Sequence, residues 1–441
     1  MGISVLRLQA DNPANTGDNS MRSVCMIAAV ALLSLPGVAM AQSAEEIAAA
    51  ALEAAPVMDG HNDVPIQLRS RFGNQINDFD FSDTTGTAQE QPARNAMHTD
   101  IARLRQGKVG TQYWSVYVPA SLDEPEAVQM TIEQIDVTKR LIAANPDDLQ
   151  LALTADEIEA ALADGKIASL MGMEGGHSIG SSLAVLRQMY DLGARYMTLT
   201  HSRNVPWADS ATDTPEHDGL TDFGRDVIRE MNRIGMQVDL SHVSEKVMHN
   251  VLDIAQAPVI FSHSSARSMN GHARNVPDSV LQRLPANGGV VMITFVPGFL
   301  SEPARQWNAN REAEEARLKA LWQGQPEKVT QALRLWDDTN PLPQSSIREV
   351  ADHIDHVRAV SGIDSIGIGG DYDGIPFAPP GLEDVTGYPA LFTELAKRGY
   401  SQEDLEKISM RNAMRALRAA EAFAVSQVGE PPIETLIERA E

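Results

Sequence analysis

The 441-residue chain predicts a (β/α)8 barrel of class α/β. Short apolar runs, β-branched or Met-rich, recur along it, each closed by glycine or polar residues and followed by a stretch of helical period. The runs are continuous rather than alternating, as expected of strands buried on both faces of a parallel sheet. Six of the eight runs are followed within two residues by His, Asp or Glu, and the C-terminal rim of such a barrel is where active sites form.

The candidate strands are, in order, Ala55–Asp59, Thr111–Val118, Ala168–Met173, Tyr196–Thr200, Met236–Leu240, Val259–Ser262, Val290–Phe295 and Ser365–Gly369. Helical patterns separate most of them, for example Leu183–Leu192, Phe223–Ile234 and Ser346–Val360. Eight strands alternating with helices favour a closed barrel over a doubly wound sheet. Residues 82–92, rich in Ser, Thr, Gly and Gln, read as a loop. Residues 301–345 are charged and helical in period, and fall between strands seven and eight as a helical insertion. No internal repeat interrupts this order, so residues 42–441 read as a single domain.

Residues 1–41 read as a targeting segment. Arg22 precedes a 12-residue apolar run, Val24–Leu35, and Ala39-Met40-Ala41 supplies an A-x-A end. That is the order of a cleaved secretory signal, and the run is too short to span a bilayer. Met21 is the expected true start, because the polar residues before it have no place ahead of such a signal. A periplasmic or secreted product without a stable membrane anchor follows. The formal net charge of −24 argues against nucleic acid as a partner, because phosphate binding needs clustered Lys and Arg. The single cysteine, Cys25, lies in the removed part. A disulfide framework and a thiolate metal site are thereby excluded, and any metal must be held by His, Asp and Glu.

Such residues stand at the strand ends. Asp59-Gly60-His61-Asn62-Asp63 follows the first strand, Glu174-Gly175-Gly176-His177 the third and His201 the fourth. Ser241-His242 follows the fifth, His263 the sixth and Gly370-Asp371-Tyr372-Asp373 the eighth. His61 and Asp63, two apart, point the same way on an extended backbone. Glu174 closes an apolar strand, and a carboxylate buried there is costly unless paired or bound to a cation. His242 and His263, 21 residues apart, each end a strand. Five such groups aimed at one mouth make a metal site, and five exceed the three or four ligands of a mononuclear one. Two metals sharing a carboxylate is the simpler count. Nitrogen and oxygen donors favour zinc, while manganese, cobalt and iron stay open on ligand type.

Around these residues the sequence resembles the membrane dipeptidase (renal dipeptidase) family of dinuclear zinc peptidases. The matching segments are DGHND (59–63), GMEGGHSIGSSL (172–183), RYMTLTHSRNVPWAD (195–209), DLSHVS (239–244), APVIFSHSSAR (257–267), ARNVPD (273–278) and GGDYDGIP (369–376), within a span of about 55–420. The resemblance implies a barrel of the metal-dependent hydrolase type that cleaves dipeptides, with tolerance for a D-residue at the second position, and a homodimer. Carried over by position, His61 and Asp63 hold one zinc, His242 and His263 the second, and Glu174 bridges the two. His201 contacts the substrate and the reacting oxygen, Arg274 holds the substrate carboxylate, and Asp371 is the catalytic acid/base with Asp373 a supporting residue.

The chemistry is coherent on its own terms. A hydroxide bridging two cations is nucleophilic at neutral pH. His201 would stabilise the oxyanion, Asp371 would move the proton to the leaving amine, and Arg274 would clamp a free carboxylate. The competing readings are a related dinuclear amidohydrolase acting on β-lactams, lactones or N-acyl amino acids, and a non-enzymatic exported binding protein. Departures from the vertebrate pattern are the absence of a processable hydrophobic C-terminal tail, the absence of cysteine after the signal, and the 301–345 insertion.

Overall fold

A computed structural model describes residues 42–90 and 93–437. The export signal expected over 1–41, with Met21 and Cys25, lies outside the described residues.

Eight parallel strands close into a ring: β1 (Val57–Asn62), β2 (Val109–Tyr117), β3 (Ile167–Glu174), β4 (Ala194–Thr198), β5 (Gln237–Asp239), β6 (Ile260–Ser264), β7 (Val290–Ile293) and β8 (Ile366–Ile368). Each pairs with the next in sequence, and β8 returns to β1 with Asp59 opposite Ile368. A short strand, Leu149–Leu151, pairs with the first residues of β3 outside the ring. Every apolar run predicted from the sequence falls on one of these strands, with ends shifted by a few residues.

The helices form because each chain segment between strands carries its own start signal. Ser182, Thr221, Ser244 and Ser346 each cap a helix, their hydroxyls accepting from the backbone N–H of Val185, Gly224, Val247 and Glu349. Such caps satisfy donors that the first helical turn leaves unpaired. The helices that follow bury one apolar stripe against the strands: Leu183, Leu186 and Met189 in one, Val227, Ile228 and Met231 in the next.

The ring interior is filled by large side chains set opposite glycines. Met58, Tyr113, Leu170, Tyr196, Ile260 and Met292 form one buried cluster, contiguous with Met410, Met414 and Leu417 near the C-terminus. A Cβ built on Gly172 would fall inside the Tyr196 ring. Gly172→Ala is therefore expected to destabilise the barrel by about 1–3 kcal/mol through overpacking, read as a lower urea midpoint. Substitution there would also displace Tyr196, whose hydroxyl reaches the mouth.

Register aligns the rim. Tyr117 stands opposite Glu174, Glu174 opposite Thr198, and Thr198 opposite Asp239. Four consecutive strands thus bring their last residues to one level.

The segment 82–92 is not wholly loop: Gln89–Glu90 pairs antiparallel with Ala93–Arg94. So short a ladder rests on backbone bonds alone and needs no apolar alternation, which is why the sequence pattern is silent there. Between β7 and β8 run the helices Glu302–Leu321 and Pro326–Thr339. Leu318, Val329 and Leu333 form a small core of their own, and Arg311 pairs with Asp337 at 2.8 Å. Among the described residues, no helix is long and apolar enough to cross a membrane.

Candidate active site

All eight side chains singled out at the rim converge on one mouth. His61 lies on β1 and Asp63 directly follows it, Glu174 ends β3, His201 follows β4, His242 follows β5, His263 lies on β6, Arg274 follows β6 and Asp371 follows β8. A cavity of about 370 Å³ is lined by Asp63, Glu174, His201, His242, His263, Arg274 and Asp371, with Asp373 also on its wall. His61 is fully buried beneath it.

Glu174 is the hub. Its Oε1 lies 3.0 Å from His242 Nε2, 3.5 Å from His263 Nε2 and 3.8 Å from His201 Nε2. Its Oε2 lies 3.5 Å from His61 Nε2 and accepts from Ser115 Oγ at 3.2 Å. His61 Nε2 is 3.4 Å from Asp63 Oδ2. Three overlapping groups have potential ligand atoms within 4.8 Å of one another: His61, Glu174 and His263; Glu174, His201 and His242; His61, Asp63 and Asp371.

Hydrogen bonds behind the rings fix which imidazole nitrogens face the cluster. Ser262 Oγ donates its one proton to Asp239 Oδ2 at 2.6 Å, so at 2.9 Å it accepts from His263 Nδ1. Likewise the Tyr196 hydroxyl donates to Gly60 O at 3.2 Å and accepts from His61 Nδ1 at 2.8 Å. In both rings Nε2 is then left as a lone pair directed at carboxylate oxygens. His242 Nε2 also stands 3.0 Å from His263 Nε2. Lone pairs and carboxylates converging in a buried space repel one another unless a cation lies among them. The donor set is imidazole nitrogen and carboxylate oxygen, which suits zinc and its neighbours in the first transition row.

The electrostatics agree. Burial alone would depress His61, yet Tyr196, Glu174 and Asp63 raise it well above its ordinary value, so the cluster draws positive charge to that position. Burial and the nearby cationic Arg274 hold His242 well below the usual imidazole range; burial, His61 and Arg274 do the same to His263. Burial also lowers His201, against the pull of Glu174. Burial pushes Asp371 well above the carboxylate range, with Asp63 and Glu174 adding to the rise and His61 and Arg274 opposing it.

Three site residues adopt the left-handed backbone, His242 with φ 70°, Asp371 with φ 62° and Asp373 with φ 65°. Non-glycine residues there carry strain of about 1–3 kcal/mol, held by the surrounding structure. Gly374 follows closely on Asp371, and a Cβ on it would strike both the Asp63 and Asp371 carboxylates.

Arg274 is 3% exposed. Its Nη2 reaches His263 O at 3.5 Å, its Nη1 has no partner, and its guanidinium stands 5.3 Å over the Phe299 ring. Among the described residues no carboxylate lies within 4.0 Å of it. Burial lowers its pKa to about 10, so it stays cationic at neutral pH.

Sequence reasoning passed over the residues that aim the others. Asp239 Oδ1 accepts the N–H groups of Ser241 and Ser262 at 3.0 and 2.8 Å, and its Oδ2 accepts from Thr198 and Ser262. Asp59 accepts from His61 N at 2.7 Å, Gln112 Nε2 at 3.1 Å, Gly370 N at 3.1 Å and the Tyr388 hydroxyl, tying β1 to β8. Both aspartates end apolar runs as Glu174 does, and the same burial argument applied to them would have found them.

Fold and mouth together define a (β/α)8 barrel of the metal-dependent hydrolase type. The profile of the membrane dipeptidase family (peptidase family M19) matches residues 45–429. Dipeptidase 3 of Mus musculus is 40% identical over 384 residues, covering 86% of this chain and 67% of its own length. The solved structure of the dipeptidase AC, a metallopeptidase, superposes with a TM-score of 0.68 at 25% identity, covering 83% of this chain and 98% of that one. A metallopeptidase from Rhodobacter sphaeroides, liganded with a phosphinate mimic of the dipeptide L-Ala-D-Ala, shares the fold with a TM-score of 0.68 at 24% identity, covering 83% and 99%. The chain belongs to the membrane dipeptidase family, peptidase family M19, and is a peptide hydrolase of the metallopeptidase class.

Proposed function

We propose that the protein is an exported dipeptidase whose site holds two zinc ions, with His61 and Asp63 on one, His242 and His263 on the other, and Glu174 shared. The observation that carries this reading is the convergence of imidazole lone pairs and carboxylates on Glu174, each ring held in its tautomer from behind. When bound, the metals supply Lewis acidity at the scissile carbonyl and lower the pKa of water. Arg274, with no protein carboxylate within 4.0 Å of it among the described residues, receives the α-carboxylate of the substrate, which favours a dipeptide over a longer chain. His201, its ring 5.0 Å from that of Tyr117, donates to the developing oxyanion. Asp371 accepts the proton of the attacking water and delivers it to the leaving amine. Export is supported by the signal pattern of residues 22–41.

The test is a comparison of kcat/KM on metal-reconstituted protein for L,L- and L,D-dipeptides against N-acyl amino acids and lactones. The ligand of the Rhodobacter sphaeroides protein makes L-Ala-D-Ala the first L,D substrate to try. Dipeptides should lead; a lead for N-acyl amino acids or lactones would move the reading to another amidohydrolase. Arg274→Met should lower kcat/KM for dipeptides by about 10- to 100-fold, chiefly through KM, since it removes charge-assisted hydrogen bonds. The corresponding dipeptide amides should be little affected.

A further inference from the structure

A second cavity, of about 650 Å³, adjoins the catalytic one. Gln67, Asp373, Gly374 and Ile375 line both cavities, whereas Arg274 lines the catalytic one alone. The added wall comes from the β1–β2 connection and carries two guanidiniums, Arg71 and Arg94. Neither has a carboxylate within 4.0 Å among the described residues.

Their partners are neutral. Arg71 Nε donates to Gln67 Oε1 at 2.7 Å, and its Nη1 to Thr87 O and Asn95 O at 2.8 and 3.0 Å. Arg94 Nη1 donates to Ser70 Oγ at 2.7 Å. Burial and the neighbouring Arg94 depress Arg71, while Asp373 opposes them. Asp373 is the one carboxylate on this wall, and its Oδ1 is already engaged by the His98 N–H at 2.8 Å. Two guanidiniums therefore face one partly committed carboxylate, in a chain whose net charge is −24. The Arg71–Gln67–Asp373 chain is continuous, because Gln67 Nε2 also donates to Asp373 O at 2.6 Å.

Resting on the dipeptidase reading, we infer that this cavity binds an anionic side chain on the N-terminal residue of the substrate, with Arg94 and Arg71 as its recognition groups. Arg274 fixes the α-carboxylate of the C-terminal residue, so the Gln67–Asp373 boundary is left for the other half of the molecule. A carboxylate crossing it meets donors suited to a planar anion. Acidic dipeptides of the form Glu-Xaa or Asp-Xaa are the substrate class this selects.

The experiment compares L-Glu-L-Ala with its neutral isostere L-Gln-L-Ala on the full, metal-loaded protein, with L-Ala-L-Glu as the positional control. The wild type should favour L-Glu-L-Ala in kcat/KM by about tenfold, the worth of one good charge-assisted contact. Arg94→Gln should abolish that preference, lowering kcat/KM for L-Glu-L-Ala by about tenfold and for L-Gln-L-Ala by less, and Arg94→Glu should turn it toward L-Lys-L-Ala. Equal rates in the wild type, a preference that survives both variants, or a dependence on Arg94 that appears with L-Ala-L-Glu instead would each overturn the inference while leaving the dipeptidase reading standing. Failure to cleave any of these dipeptides would overturn both.

Discussion

Asp371→Asn is expected to lower kcat for dipeptide hydrolysis by about 10²–10⁴-fold, the usual worth of a positioned acid/base, with bound metal at the wild-type level. Asparagine keeps the shape and accepts the same left-handed backbone that Asp371 adopts at φ 62°. It cannot take a proton from the attacking water. The metal content separates this role from ligation, because Asp371 has a ligand atom within 4.8 Å of those of His61 and Asp63. A ligand role predicts that metal is lost along with activity. A non-enzymatic binding protein predicts that function survives.

Glu174→Gln is expected to be as severe by a different route. Among the described residues, Glu174 is the only side chain with carboxylate oxygens within 4.0 Å of all four histidines of the cluster, His61, His201, His242 and His263. The amide conserves volume, but offers one neutral oxygen in place of a shared carboxylate. Loss of metal-derived stabilisation worth several kcal/mol corresponds to a fall of about 10³-fold or more in kcat. The rise in Tm that added zinc produces in the wild type should also disappear, because that rise depends on metal binding the folded state. A variant that binds and responds to zinc normally would remove Glu174 from the metal site.

The metal-ligand candidates, His201 and Asp371 were legible in the sequence because each sits within a few residues of the end of a run whose apolar continuity marks a buried strand, whereas Arg274, well beyond its strand, was named only through the family resemblance. Glu174 and His263 stand out because a charged or polar residue abruptly ends such a run. Asp59 and Asp239 end runs in the same way, yet their carboxylates look inward to backbone N–H groups and hydroxyls. That choice depends on the register across β5 and β6, which composition does not encode. Tyr196 was readable only as a strand residue; its bond to His61 spans 135 positions and exists because the ring closes. The Arg71 and Arg94 wall was opaque for a further reason. Arg71 stands on the helix Val64–Phe72, but Arg94 lies on the short ladder of Gln89–Glu90 with Ala93–Arg94, which rests on backbone pairing, with Asn95 Nδ2 donating to Pro376 O beside it, and no periodic apolar signal announces it.

Hydrolysis is expected to depend on two cations gathered around Glu174. Titrating zinc into chelator-stripped protein while following hydrolysis of a simple dipeptide tests it most directly. Activity should be absent at the start, rise with added zinc and level off at about two equivalents per chain, the count of a two-metal site. Undiminished hydrolysis by the stripped protein, or none after zinc is restored, would contradict it.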